Sequence, residues 1–299
     1  MTDSANKPYA LVPEIALLEP LPAHHRKRFE VALLMMHNSL EERLSWEQIA
    51  EKSAISPYHF HRQFSRLFEE TPGQYLSRVR LQYAVNLLYV DHCRKIADIA
   101  YQCGYSSSQA MAKVLKRELG VTAKSLRHLI ATGTPAETSR LLDKLSHPGK
   151  EHSLEKQLAQ SMPTELVWYP ARGMKVRQIP DFDWDVVFET YGKKSTRILS
   201  ATPVSDLERK WKDMTYTVGD WQVSNDQYDY FVPEGYYLCC EVYLATDVAF
   251  IAAIDSLFQQ AEEQGYQVDD TGYLIEMVRD IELTLTGGAT FAFQIPIIV

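Results

Sequence analysis

At 299 residues, with 45% hydrophobic and 23% charged residues, the chain is long enough for two ordinary domains, each burying its own core. No apolar run is long enough to span a bilayer, and the start Met1-Thr-Asp-Ser-Ala-Asn-Lys lacks the basic-then-apolar layout of an export signal, so a cytoplasmic protein with no membrane partner is expected. The net charge of −8 argues against a nucleic-acid partner only until it is located: residues 24–130 carry sixteen Lys/Arg against ten Asp/Glu, while residues 131–299 carry fourteen against twenty-six, the asymmetry expected when one half alone meets phosphate.

Along the chain, Ser45 and Gln48 have the spacing of a capping box, opening a short helix that gives way to a turn. Ser56 followed by Pro57 then places an N-cap and a pre-set first residue at a second helix. In that helix Phe60, Phe64 and Leu67 or Phe68 line one face, leaving Tyr58, His61, Arg62 and Ser65 outward. Tyr75–Leu88 has helical spacing without Gly or Pro and predicts one long connecting helix. The plan then repeats over Ile96–Arg117: Gly104 is free to end the first helix in the left-handed conformation, Ser106 and Gln109 form a second possible capping box, and Met111, Val114 and Leu115 supply the apolar face. Two helix-turn-helix units in about a hundred residues point to DNA.

Four ordered motifs carry a more specific likeness: Ser56-Pro-Tyr-His-Phe-His-Arg-Gln-Phe, Thr71-Pro-Gly-Gln-Tyr-Leu, Arg80-Leu-Gln-Tyr-Ala and Ile96-Ala-Asp-Ile-Ala-Tyr-Gln-Cys-Gly-Tyr-Ser-Ser. Residues 24–130 resemble the DNA-binding domain of AraC/XylS-family transcription regulators, whose two recognition helices enter adjacent major grooves. The resemblance implies that Tyr58, His61 and Arg62 contact DNA from the first reader and Ser107, Ser108, Gln109 and Lys113 from the second; Arg66 flanks the first reader and joins the list. Lys113 stands where the family often has Arg, and Ala123 and Leu126 replace its Pro and Tyr. A Lys is a mobile point charge and not a rigid fork, so that exchange costs discrimination more than affinity.

Breakers at Ala131-Thr-Gly-Thr-Pro and Ser146-His-Pro-Gly flank a helical run, Thr138–Leu145, and mark residues 131–163 as a linker, with residues 1–23 an amino-terminal tail. Beyond Pro163 the period shifts. Strand-like runs cover Leu166–Tyr169, Met174–Ile179, Tyr228–Val232, Tyr236–Ala245, Gly272–Val278 and Ala289–Ile298, with helices over Trp184–Tyr191 and Asp247–Gln264. The segments Tyr169-Pro-Ala-Arg-Gly-Met-Lys-Val and Val232-Pro-Glu-Gly-Tyr-Tyr-Leu form a weak repeat, which predicts two strand-helix-strand-strand units sharing a sheet. The fold class expected is multidomain, an all-α double helix-turn-helix domain followed by an α+β domain.

On Val232-Pro-Glu-Gly-Tyr-Tyr, Val248-Ala-Phe-Ile-Ala-Ala-Ile-Asp-Ser-Leu-Phe, Gly265-Tyr-Gln-Val, Tyr273-Leu-Ile-Glu and Phe291-Ala-Phe-Gln-Ile-Pro-Ile, residues 164–299 resemble the GyrI-like, effector-binding domain of bacterial multidrug regulators. That resemblance implies a pocket for lipophilic, often cationic molecules built on Glu276, with Tyr236, Tyr273, Trp184 and Trp221 as candidate aromatic walls; a carboxylate in an aromatic cage attracts a desolvated cation. The family's Glu-x-Tyr reads Glu276-Met-Val here. Cysteines 93, 103, 239 and 240 fit neither a zinc ribbon nor a disulfide framework, His59 and His61 lie two apart on a helix and cannot share a metal, and no catalytic triad or phosphate loop stands out. The expectation is a regulator of transcription without cofactor, metal or enzymatic activity, with double-stranded DNA, a small lipophilic effector and RNA polymerase as partners. The alternative is a second half acting by protein contact, as gyrase inhibitors do, or as a weak hydrolase.

Overall fold

Apolar residues at three- and four-residue spacing make the chain helical from Pro13 to Leu154, one of two compact units; the other combines the residues up to Val12 with Glu155–Val299. The structure is a computed structural model and describes residues 8–91, 93–179, 182–281 and 288–299. The helical unit runs α1 (Pro13–Leu18), α2 (Ala23–Asn38), α3 (Trp46–Lys52), α4 (Pro57–Phe68), α5 (Pro72–Val90), α6 (Ile96–Gln102), α7 (Ser108–Glu118), α8 (Ala123–Thr132) and α9 (Pro135–Leu142). Full capping boxes start α3 (Ser45, Gln48), α5 (Thr71, Gln74), α8 (Thr122, Ser125) and α9 (Thr134, Glu137), each contributing about 1 kcal/mol by satisfying otherwise orphaned amides.

Around Phe29, Phe60, Phe64, Phe68 and Tyr75, all fully buried, the rings pack directly, Phe64 on Phe68 at 4.1 Å and Phe29 on Phe60 at 5.3 Å. Beside them lies a buried polar network. One Glu14 carboxylate oxygen accepts from the Tyr75 hydroxyl at 2.6 Å and sits 2.9 Å from His147 Nε2. The Tyr75 proton being committed to Glu14, His37 Nε2, 2.7 Å from the same hydroxyl, must be the donor. Burial alone would raise the Glu14 carboxyl; His147, then His37 and Tyr75, outweigh it and hold the group well below the usual carboxylate range.

The stretch 131–163, expected as a linker, is packed chain. Leu141, Leu142 and Leu145 are buried in the helical unit, and the Gln82 amide donates to the Leu145 carbonyl at 2.8 Å. Farther on, α10 (Leu154–Gln160) buries Ala159 in the core of the sheet unit. An i, i+1, i+4 leucine pattern between the breakers decides the matter, and the boundary falls at Leu154/Glu155. The tail is likewise structured where described: Leu11 and Val12 are buried, and β1 (Tyr9–Ala10) runs parallel to a strand more than two hundred residues later. Residues 1–7 lie outside the described residues.

The sheet unit continues with β2 (Glu165–Tyr169), β3 (Arg172–Val176), α11 (Trp184–Tyr191), β4 (Ile198–Pro203), β5 (Thr217–Asp220), β6 (Tyr230–Val232), β7 (Gly235–Leu244), α12 (Asp247–Glu263), β8 (Gln267–Val268), β9 (Tyr273–Ile281) and β10 (Ala289–Ile298). The strand order β7-β10-β9-β4-β5-β3 is a mirrored pair of the same three-strand motif, β3-α11-β4-β5 and β7-α12-β9-β10, joined where β4 meets β9 antiparallel. The repeat visible in sequence is thus a repeat of topology. β1 and β2 share the outer edge of β7, β6 pairs with β3, and β8 pairs with the end of β10. One sheet face, with Leu238, Val242, Leu274, Phe291 and Phe293, is covered by Trp184 and Val187 of α11 and by Ala249, Ala253 and Leu257 of α12. The other face holds a smaller cluster drawn from strands alone, including Met174, Leu199, Tyr237, Ile275 and Met277. Adjacent Cys239 and Cys240 point one to each face, as strand alternation requires.

Candidate nucleic-acid interface and effector site

In the first reader Ile55 N–H returns to the Ala50 carbonyl at 3.0 Å, closing the turn around Ala54, whose φ of 56° is left-handed without being glycine. Ser56 then caps α4, its hydroxyl accepting from His59 N–H at 3.4 Å. With Phe60, Phe64 and Phe68 turned inward, Tyr58 is 77% exposed, and Arg62 and Arg66 are exposed as well. No salt bridge among the described residues engages either arginine. His61 is only half-exposed because its ring packs on Trp46 at 5.3 Å, and Ser65, expected outward, has its hydroxyl buried without a partner. Arg78 and Arg80 of α5 turn inward: Arg78 pairs with Glu70 at 2.5 Å over the Tyr75 ring, and Arg80 donates to the Leu44 carbonyl.

The second reader differs by one residue. Gly104 takes φ 77°, and a Cβ there would run into the Leu40 carbonyl oxygen. The N-cap of α7 is Ser107, accepting from Ala110 N–H at 3.1 Å; Ser106 is not the cap, and since the third helical residue is Ala110 no capping box forms. Met111 and Leu115 are buried where α4 has Phe60 and Phe64, which places Lys113 in register with Arg62 and Arg117 with Arg66. Gln109 and Lys113 are exposed, Ser108 half-exposed, and the Ser107 hydroxyl is occupied by its capping bond. Arg117 was legible as the next residue on the Lys113 row, one helical turn away; its Nε donates to Glu118 at 2.6 Å.

In the sheet unit Glu276 projects from β9, opposite Ser200 of β4, at the seam of the two repeats. It lies on the helix-covered side with Leu274 and Val278, and Trp184 Nε1–H donates to its Oε2 at 2.6 Å. Burial pushes the carboxyl up to about 7 against that hydrogen bond. Nearby Asp183, the N-cap of α11, is also raised to about 7 by burial and by Asp185, Asp247 and Glu276. The four candidate wall residues do not all gather at Glu276. Tyr273, three positions from Glu276, and Trp221 pack with the opposite face, while Tyr236 on β7 is 41% exposed; of the four, Trp184 alone bonds Glu276. Among the described residues no group of His, Cys, Asp and Glu could hold a metal, and no helix is long and apolar enough to cross a membrane.

Residues 49–128 match a family model described as a helix-turn-helix domain. Over 100 residues the chain is 30% identical to the HTH-type transcriptional activator RhaS of Escherichia coli O139:H28, covering 33% of this chain and 36% of the activator. Over 105 residues it is 31% identical to RhaS of Citrobacter koseri, covering 35% of this chain and 37% of that one. The helical unit carries a helix-turn-helix domain. The chain spans little more than a third of the length of these curated relatives. Among solved structures, an AraC-type regulator from Chromobacterium violaceum is similar at 25% identity, over 37% of this chain and 97% of that one, with a TM-score of 0.33. The DNA-binding domain of AdpA, solved with a target DNA, is similar at 26% identity, over 34% and 90%, with a TM-score of 0.32.

Proposed function

We propose that the protein is a transcription regulator that binds double-stranded DNA through α4 and α7 of its AraC-type domain and acts, in the cytoplasm, on RNA polymerase. One observation carries this reading: both helices bury an apolar face and present cations outward, with Arg62, Arg66 and Lys113 in no salt bridge among the described residues. Unpaired surface cations on two capped helices suit a polyanion. The 19-residue α5 spans ~28 Å, close to the ~34 Å between successive major grooves on one face of B-DNA. Selection of bound sequences from a random pool, followed by gel-shift titration at two salt concentrations, tests it. A salt-independent affinity or the absence of any preferred sequence would refute it.

The sheet unit, in this reading, is a GyrI-like domain that senses a small lipophilic effector, a layout resembling that of the regulator Rob. The bond from Trp184 to a carboxylate that has no salt bridge among the described residues favours sensing over protein contact or hydrolysis. A cationic ligand would restore the charge that burial suppresses at Glu276. Calorimetric titration with a matched cationic and neutral pair tests this part; equal affinity for the two would remove Glu276 from the site.

A further inference from the structure

The sheet face away from α11 and α12 contains a cavity of about 470 Å³ with a composition opposite to that around Glu276. Its basic groups are Arg172 and Arg279, and Trp221, Tyr228 and Phe231 form its walls. Arg172 is the unusual member. Its Nη1 donates to the Gln294 amide oxygen at 2.5 Å, and its guanidinium lies 4.3 Å from the centre of the Tyr169 ring and 4.9 Å from that of Tyr237. Its Nε and Nη2 are buried and without a hydrogen-bond partner, and no carboxylate among the described residues forms a salt bridge with it. Arg172 as a whole is half-buried, and a guanidinium with two of its three nitrogens shut off from water ordinarily meets an anion, because two rings and a neutral amide leave its charge uncompensated. Arg279 adds a second cation, whose one salt bridge among the described residues is a long 3.8 Å pairing with Glu241.

The walls are built for a flat group. Tyr228 lies against Gly173 so closely that a Cβ there would run into its ring, and Phe231 is 57% exposed, an apolar surface open to solvent. We infer that this cavity binds a small aromatic carboxylate, with Arg172 supplying the counter-charge and Trp221, Tyr228 and Phe231 the stacking surfaces. The site is independent of Glu276, from which it differs in sheet face and in sign.

Titration of the full chain with 2-naphthoate, with its neutral isostere 2-naphthamide, and with 2-naphthylmethylammonium, read by calorimetry and by Trp fluorescence, tests the assignment. The expected result is one naphthoate per chain, bound at least tenfold tighter than the amide, while any binding of the ammonium belongs to Glu276 and is untouched by Arg172→Gln. Arg172→Gln should weaken naphthoate tenfold or more and leave the amide unchanged. If Arg172→Gln fails to fold, the more exposed Arg279→Gln and Phe231→Ser decide, each expected to weaken naphthoate at least threefold. Equal binding of acid and amide, no binding by the wild-type chain, or variants indistinguishable from wild type would overturn the inference.

Discussion

Arg62 and Lys113 stand in the same register on their two helices, yet their chemistry separates what each can read. A guanidinium can grip guanine with two fixed bonds, whereas an ammonium attracts whatever anion is nearest. Arg62→Ala should therefore weaken the selected site by about 1–3 kcal/mol and relax preference at one or two base pairs, while Lys113→Ala weakens all sequences alike. Parallel gel-shift titrations on selected and scrambled duplexes would show this; a larger change of preference from Lys113→Ala would reverse the assignment. In the sheet unit, Glu276 is protonated more readily folded than unfolded, so its contribution to stability is full below pH ~4.5 and is lost as pH rises through about 7. Glu276→Gln should accordingly stabilise the sheet unit by about 1–3 kcal/mol at pH 8 and leave it nearly unchanged at pH 4, measured by urea denaturation. The same substitution should lower affinity for a lipophilic cation roughly five- to hundredfold.

At the scale of elements, the two turns offer a matched comparison. Ala54 holds φ 56° with a Cβ, and Gly104 holds φ 77° where a Cβ would strike the Leu40 carbonyl. Ala54→Gly should be neutral or stabilising by up to about 1 kcal/mol, and Gly104→Ala destabilising by more than that, in thermal melts of the helical unit's signal. Much of this half was legible because its signals are local: caps, a Pro at the first helical position and apolar residues every third or fourth place. The strands were read unevenly for the converse reason. Most residues of β4 are buried on both faces, so Ile198–Pro203 shows no alternation, β5 ends in Gly219-Asp220 like a turn, and β1 is two residues whose partner lies in the distant β7. Parity alone turns Tyr273 away from Glu276: an odd number of positions apart on one strand, the two face opposite ways. Arg172 gave no sequence signal at all, since its isolation depends on what the fold leaves away from it.

For the molecule as a whole, the two units should respond to acid in opposite senses. Glu14 is held low in the helical unit, so its contribution is present above pH ~4.5 and lost as pH falls further, whereas Asp183 and Glu276 penalise the folded sheet unit as pH rises toward 7. Calorimetric scans at pH 8, 6 and 4 should show the sheet transition moving up and the helical transition moving down; parallel movement of both would contradict these assignments. Unlike readers on one chain also predict an asymmetric site bound by a monomer, which footprinting against analytical ultracentrifugation of the complex would check. Among the described residues, 8–12 belong to the sheet unit, Pro13–Leu154 to the helical unit and the residues from Glu155 onward to the sheet unit again, so the helical unit interrupts the sheet unit in sequence. During synthesis Tyr9 and Ala10 therefore emerge long before Val242 and Tyr243, with which they pair. At ~5–20 residues per second that wait lasts on the order of 10–50 s, long enough for the whole helical unit to fold first. β1 then waits unpaired while the helical unit folds, and on the proposed function the nascent chain is able to engage DNA before the sheet unit has closed.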